Sequence, residues 1–116
     1  MTACPKRRKP AKLGVRERPQ VRCPQHLKWI RGHECLVQST NCGGQIEAAH
    51  VRGGTDGGMG VKPSDFWALP LCRTHHAQQH RLGEQMFQAH HQIDMRAIAQ
   101  ALAARSPHRK RWENDE

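Results

Sequence analysis

The most informative stretch of this sequence runs from Leu71 to His80 and reads LCRTHHAQQH. Cys72 and His75 form a Cys-x2-His pair, a spacing that is typical of zinc ligands. His76 and His80 follow four residues apart, about one helical turn, so a helix would present both imidazoles on the same face. The stretch therefore predicts a helix that begins at a metal-binding pair and can hold a second ion on its surface.

A second stretch, Ala49 to Gly54, reads AHVRGG and places His50 at the end of a short apolar run, before a glycine-rich loop. Imidazole is the side chain whose pKa lies nearest neutrality, so it suits a general base. A nuclease needs such a base to deprotonate water, and a cation to neutralise charge on the phosphate. Taken alone, His50 is also compatible with an ordinary core position.

Two cysteines upstream, Cys35 and Cys42, can complete a zinc site with Cys72 and His75, because zinc in structural sites takes four ligands in two pairs. We predict a short strand at residues 35–37, a turn at 39–44 and a second strand at 46–51, which puts the two cysteines on either side of a hairpin. Their spacing is longer than usual for a zinc pair. The alternative is that Cys35 is a small buried apolar residue and Cys42 has no role.

The composition describes a single small domain with little apolar bulk: 116 residues with two Phe, three Trp and no Tyr. Such chains often need a metal or a disulfide to fold. Five cysteines, an odd number, among nine histidines favour metal binding in a reducing cytoplasm over a disulfide framework. We find no apolar stretch long enough to span a membrane and no secretory signal, so no membrane partner is expected.

The net charge of +9 is concentrated at one end of the chain. Residues 1–31 hold ten Lys or Arg and one acid, whereas residues 32–116 hold nine of each. Blocks of positive charge usually bind polyanions, nucleic acid above all. The alternative is a solvated tail that only aids solubility.

The local patterns divide the chain into a basic disordered arm (1–22), a domain with flanking helices (23–104) and a charged C-terminal tail (105–116). Proline and glycine positions predict a helix from Pro24 to about Arg31, ended by Gly32. Further helices are predicted at about 74–81 and 84–92. Asp94 is a suitable N-cap for a last helix through Ala104.

Between His33 and about Arg81 the chain resembles the HNH, or ββα-metal, endonuclease superfamily. It is especially similar to small phage- and prophage-encoded members, including those related to the recombination enhancement function nuclease. The resemblance covers about half of the chain. The motifs that carry it are the two cysteines at 35 and 42, the string AHVR at 49–52, GMGVKPSD at 58–65 and LPLC at 69–72 with His75, His76 and His80.

The resemblance implies an α+β fold with a small zinc-stabilised ββα-metal core. In it, Cys35, Cys42, Cys72 and His75 would hold a structural zinc, with His75 in place of a commoner cysteine. His50 falls at the position of the general base, and Asp65 stands near the family's middle Asn, which supports the base. His76 and His80 fall where ligands of a catalytic divalent ion, Mg²⁺ or a relative, sit.

Two positions depart from the family pattern. Many members carry an acidic or histidine metal ligand immediately before the base, where this chain has Ala49. The family's Asn is also absent, since Trp67 stands close to its usual place.

We therefore expect a metal-dependent endonuclease that hydrolyses DNA, in a bacterial or phage-encoded cytoplasmic setting. DNA would be its partner through non-specific contacts of the arm, and a recombination protein is a further candidate partner. The alternative is a non-enzymatic zinc module that binds nucleic acid or assists recombination. A protein-interaction domain built around zinc is a third hypothesis, but it leaves the basic arm without a role.

Overall fold

The structure is a computed structural model that describes residues 20–57 and 61–113. Its elements are α1 (Pro24–Arg31), β1 (Ile46–His50), β2 (Ala68–Cys72), α2 (Arg73–Leu82), α3 (Glu84–His91), α4 (Met95–Arg105) and α5 (Lys110–Glu113). The described residues thus form a small mixed α and β protein with one two-stranded sheet, in agreement with the predicted class. No helix within these ranges is long and apolar enough to cross a membrane.

The sheet pairs β1 with β2 in antiparallel register, with His50 opposite Ala68 and Ile46 opposite Cys72. All five residues of β2 are buried, whereas β1 is mostly half-exposed. Helix α1 packs against both strands, and α2 and α4 pack against β2. The continuous apolar sequence of β2 is therefore explained by burial on both of its faces.

The predicted helices are confirmed to within one residue at each end. Pro24 occupies the first turn of α1, where its missing N–H removes no hydrogen bond, and Gly32 follows the helix. Asp94 caps α4, because its Oδ1 accepts a hydrogen bond from the Ala97 N–H at 3.1 Å. The strand predicted at 46–51 is also confirmed as β1.

The prediction of a strand at residues 35–37 is wrong, and so is the hairpin it implied. The partner of β1 is β2, and residues 35–37 lie in the loop before β1. Leu36 donates one backbone hydrogen bond to the Pro70 carbonyl, at 2.9 Å. Proline has no N–H to return a second bond, so this edge of β2 cannot continue into a ladder.

The segment after Ala104 was predicted as a charged, frayed tail, and residues 105–113 differ from that prediction. Ser106 is fully buried, and its Oγ lies 2.9 Å from His26 Nδ1 in α1. The Trp112 ring lies 4.9 Å from the His26 ring and 5.4 Å from that of Phe66. Ser106 and Trp112 thus dock the segment that contains α5 against α1.

The predicted arm, residues 1–22, lies outside the described residues except for positions 20–22. Those three residues are hydrogen-bonded to the connection between the strands. The Val21 N–H donates to Ser64 Oγ at 2.9 Å, and the Val21 carbonyl accepts from the Asp65 N–H at 2.9 Å. The ordered domain therefore begins before the boundary predicted at residue 23.

His26 makes the stability of the fold depend on pH. Burial lowers the pKa of His26 to about 4, so the folded protein resists protonation that the unfolded chain accepts near pH 6.5. Between pH 6.5 and pH 4 unfolding is therefore accompanied by uptake of a proton at His26. The free energy of unfolding falls as the pH is lowered through this range. We expect His26 to contribute about 2 kcal/mol of destabilisation between pH 7 and pH 5.

Urea unfolding of the parent protein and of His26→Gln at both pH values measures this contribution. The difference between the two proteins cancels the pH dependence of every other group, including the cysteines. An equal loss of stability in both proteins would contradict the assignment.

Candidate functional site

Four metal-binding side chains meet where β2 joins α2. The ligand atoms of Cys35, Cys42, Cys72 and His75 all lie within 4.8 Å of one another. Cys72 is the last residue of β2, His75 lies in the first turn of α2, and the other two cysteines come from the loop before β1. The structure thus brings together the four residues predicted as the structural zinc ligands.

The distances within this Cys3His cluster fit a structural metal such as zinc. His75 Nδ1 lies 3.2 Å from Cys72 Sγ, 3.5 Å from Cys42 Sγ and 3.6 Å from Cys35 Sγ. Tetrahedral zinc with ordinary Zn–S and Zn–N bonds separates sulfur and nitrogen ligands by about 3.6 Å. His75 Nε2 lies 3.4 Å from Ser39 Oγ, to which its N–H can donate, and this leaves Nδ1 as the metal ligand.

The environment prepares Cys72 to be the first thiolate of the cluster. Burial raises its pKa, but the backbone N–H groups of His75 and Gly43 and the His75 ring lower it, to about 6. Burial raises the pKa of Cys35 to about 11. A sulfur at the N-terminus of α2 is the favoured site for negative charge, because unpaired N–H groups point towards it.

A glycine allows the Cys42 loop to reach the start of α2. Gly44 has a φ of +81°, and a Cβ there would lie 2.6 Å from Arg73 Cβ. Both the left-handed backbone and the close approach exclude larger residues. Hydrogen bonds from the Arg73 N–H to the Gln45 carbonyl and from the Thr74 N–H to the Gly43 carbonyl then fasten the loop to α2.

The second feature of the site is a hydrogen bond between His50 and Asp65. His50 Nε2 lies 3.0 Å from Asp65 Oδ1, while Asp65 Oδ2 accepts a 2.7 Å hydrogen bond from the Cys23 N–H. Asp65 is 2% exposed and the His50 side chain 15% exposed. The buried Asp65 carboxylate therefore fixes the orientation of the His50 ring, and the ring stays partly accessible to solvent.

The protonation of this pair follows from its surroundings. Burial raises the pKa of Asp65, but hydrogen bonds from His50 and the Cys23 N–H lower it below its usual value. Burial lowers the pKa of His50, and Asp65 offsets part of that effect. An ionised carboxylate only accepts, so Nε2 of the neutral ring carries the proton and Nδ1 keeps a free lone pair.

Basic residues surround the His50–Asp65 pair. Arg22 NH1 lies 3.4 Å from Asp65 Oδ1, and Arg22 NH2 donates to the Lys62 carbonyl at 2.9 Å. The positive charges of Lys62 and Arg22 both act to lower the pKa of His50. The solvent side of His50 is thus suited to an anionic substrate.

A third group lies on α2, at the residues predicted to bind the catalytic ion. The rings of His76 and His80 are 4.8 Å apart. His76 Nδ1 donates to Glu47 Oε1 at 2.7 Å, and Arg73 Nε lies 3.3 Å from Glu47 Oε2. These two hydrogen bonds lower the pKa of Glu47. The first of them occupies Nδ1 of His76 and leaves Nε2 as the ring nitrogen without a contact to Glu47.

The structure does not gather the predicted ligands of the catalytic ion around His50. Across residues 20–57 and 61–113, the Cys3His cluster is the one group of three or more candidate ligands that lie close enough to share an ion. His50 is hydrogen-bonded to Asp65 and His76 to Glu47, so the two imidazoles are held by separate carboxylates.

Sequence reasoning missed Glu47 and Arg22. Glu47 lies two residues before Ala49, so the alternation of a strand puts both on the same face. The resemblance places a metal ligand at position 49, on this face. Strand alternation could therefore have identified Glu47 as a candidate. Nothing in the local sequence marks Arg22, whose contacts with residues 62–65 are made only by the tertiary fold.

Comparison with known proteins places the chain in a family. A model of the family described as "Protein of unknown function (DUF968)" matches residues 13–108, and the chain belongs to this family. A segment of 57 residues is 35% identical to "Uncharacterized protein YdfU" of Escherichia coli strain K12. It covers 48% of this chain and 15% of that relative's length. No solved structure matches the chain.

The Cys3His cluster should hold one zinc ion per chain, and Cys42→Ser should release it. Closing such a site contributes on the order of 10 kcal/mol to folding, so the variant or a chelator should unfold the domain. Elemental analysis of protein purified without added metal, together with circular dichroism, measures both effects.

Cys4→Ser is the matched control, since Cys4 lies outside the described residues and outside the cluster; it should leave the zinc content unchanged. A Cys42→Ser protein that keeps one full equivalent of zinc would contradict the ligand assignment.

Proposed function

We propose that this member of the DUF968 family is a metal-dependent endonuclease of the HNH type that hydrolyses phosphodiester bonds in DNA. The observation that carries the proposal is the His50–Asp65 pair, a buried carboxylate that orients a solvent-accessible histidine among basic residues. The resemblance of residues 33–81 to HNH nucleases supports the same conclusion.

In the proposed reaction His50 is the general base. Asp65 accepts a hydrogen bond from the Nε2–H of the ring, so Nδ1 keeps the free lone pair that a general base needs. A water hydrogen-bonded to Nδ1 loses its proton to that nitrogen as its oxygen attacks the phosphorus. The phosphorus–oxygen bond on the opposite side breaks, and the leaving sugar oxygen takes a proton from solvent. Asp65 stabilises the imidazolium that results, and it acts as a positioning residue rather than as a catalytic one because it does not reach the solvent side.

The second part of the proposal concerns α2. His76, oriented by Glu47, and His80 are the proposed protein ligands of the catalytic divalent ion, Mg²⁺ or a relative. Such an ion, when bound, supplies positive charge to the phosphate and to the leaving oxygen. Glu47 lies on the same face of β1 as Ala49, so its carboxylate is the strand-borne anionic group that position 49 lacks.

The remaining parts have supporting roles. The Cys3His cluster holds the β2–α2 junction and takes no part in the reaction. DNA is the proposed partner, bound without sequence preference by the basic residues of 1–31.

A second candidate is a non-enzymatic nucleic-acid-binding or recombination-accessory zinc module. The observation that favours it is the absence, among the described residues, of a second group of three ligands close enough to share an ion. Ala49 at the expected ligand position points the same way. In this case DNA would be bound but not cut.

Replacing the base tests the proposal most simply. His50→Ala should lower DNA cleavage by roughly 10²-fold or more, the effect expected for losing a general base. Zinc content should stay the same, because His50 lies outside the cluster. A supercoiled-plasmid nicking assay over a panel of divalent ions measures the rate. His90→Ala, on the exposed side of α3, is the control and should cleave like the parent; equal cleavage by His50→Ala would favour the accessory module.

The pH profile distinguishes base chemistry from a structural role of the pair. Cleavage should fall as the pH drops through the pKa of His50, which burial holds below the ordinary histidine value of about 6.5, because protonated His50 cannot accept a proton. Asp65→Asn removes the carboxylate that raises the His50 pKa, so the acidic limb should move to lower pH while the maximal rate falls about tenfold or more. An acidic limb at the same pH in both proteins would show that His50 is not the titrating group.

Metal titration separates the ligands from the base. His76→Ala should raise the divalent-ion concentration needed for half-maximal cleavage, and excess metal should restore part of the rate. Glu47→Gln should produce a smaller rise, on the order of 10-fold, because it loosens His76 without removing it. If neither substitution changes the metal dependence, the ion does not bind at α2.

A further inference from the structure

A groove runs between the N-terminus of α1 and the segment that ends in α5. Its volume is about 610 Å³, and its lining residues are Arg22, Cys23, Pro24, Gln25, His108, Lys110 and Arg111. None of these residues is acidic, and three carry a permanent positive charge. The groove lies outside the part of the chain that resembles HNH nucleases, so nothing in that resemblance assigns it a role.

The cations of the groove retain charge for a ligand. Lys110 and Arg111 are both exposed, and neither belongs to an ion pair among residues 20–57 and 61–113. Their neighbour Arg109 pairs with Glu113, and neither of these two residues lines the groove. Unpaired cations gathered in one concave surface attract anions more strongly than the same cations dispersed on a convex one.

The tertiary fold holds these cations in position. Arg111 NH2 donates a hydrogen bond to the Arg22 carbonyl, which joins α5 to the residue before α1. Trp112 packs against His26 and Phe66, as described above. Because the two walls are already fastened together, little ordering is needed when a ligand binds.

Arg22 connects the groove to the candidate active site. Arg22 lines the groove, and its guanidinium contacts Asp65 Oδ1, the same oxygen to which His50 Nε2 donates. A polyanion lying in the groove would therefore pass beside His50.

We propose that this groove, the α1–α5 groove, binds the phosphate backbone of the DNA strand next to the bond that is cut. The inference rests on the proposed function for the identity of the substrate. Charge excludes the chain's own N-terminal segment as the occupant, since residues 1–19 hold seven Lys or Arg and one acid. The contacts are to phosphates, so the groove contributes affinity without sequence preference.

The test measures binding in a His50→Ala background, so that the duplex stays intact. Lys110→Ser/Arg111→Ser should weaken binding of a fluorescein-labelled 20-base-pair duplex by about tenfold. It should also reduce the slope of log affinity against log salt by about 1.8, because each lost phosphate contact removes about 0.9. Fluorescence anisotropy at several salt concentrations gives both quantities.

Arg96→Ser/Arg105→Ser is the matched control, with the same change of charge at exposed residues that neither line the groove nor belong to the basic segment 1–31. It should change affinity and slope by less than half as much. Equal effects of the two pairs would overturn the proposal, since net charge rather than the groove would then set the affinity. An RNA duplex bound more tightly than DNA, and weakened more by the groove substitutions, would also overturn it.

A second variant tests the groove without changing its charge. Trp112→Ala undocks α5 and should weaken DNA binding to a similar degree, and unchanged binding would contradict a preformed groove. None of these measurements requires cleavage. Groove-dependent binding by a parent protein that never cuts DNA would therefore uphold the groove as a DNA-binding surface and reject the nuclease.

Discussion

The Cys3His cluster is the constraint on which the rest of the structure depends. It joins two segments that are far apart in the sequence: the loop at 35–42 and the junction between β2 and α2 at 72–75. The apolar core is small, and its fully buried large side chains are few. Metal binding at this junction would supply folding free energy that such a core lacks.

The position of both candidate functional groups follows from this junction. Once the end of β2 is fixed, the antiparallel register sets His50 opposite Ala68. Ala68 follows Asp65 by three residues, so the register brings His50 near Asp65. The same junction sets the start of α2, and with it the direction in which His76 and His80 leave the helix. Asp65 then ties His50 to the Cys23 N–H and to Arg22, so the N-terminal segment becomes part of the site.

Local chemistry explains why much of the structure could be predicted from the sequence. Helix ends at Pro24, Gly32 and Asp94 depend on neighbours within a turn, and the Cys-x2-His pair has the spacing that a helix start imposes. The four cluster residues could be recognised because zinc accepts few residue types. The association of His50 with Asp65 came from resemblance, and the structure brings the two within hydrogen-bonding distance.

The features that were not predicted depend on tertiary contacts. The apolar residues at 35–37 have the pattern of a strand, but they lie beside the edge of β2 that contains Pro70. The missing N–H of Pro70 prevents pairing there, and the sequence of residues 35–37 itself does not show this. The basic segment after residue 105 reads as a tail, and its docking depends on Trp112 meeting His26, which is distant in the sequence. The link from Glu47 to His76 likewise needs the packing of α2 against β1.

X-ray absorption spectroscopy at the zinc edge, on protein purified without added metal, tests the central claim most directly. The account predicts one zinc with three sulfur ligands at about 2.3 Å and one nitrogen ligand at about 2.0 Å. A spectrum with only nitrogen and oxygen ligands, or a folded protein without zinc, would contradict it.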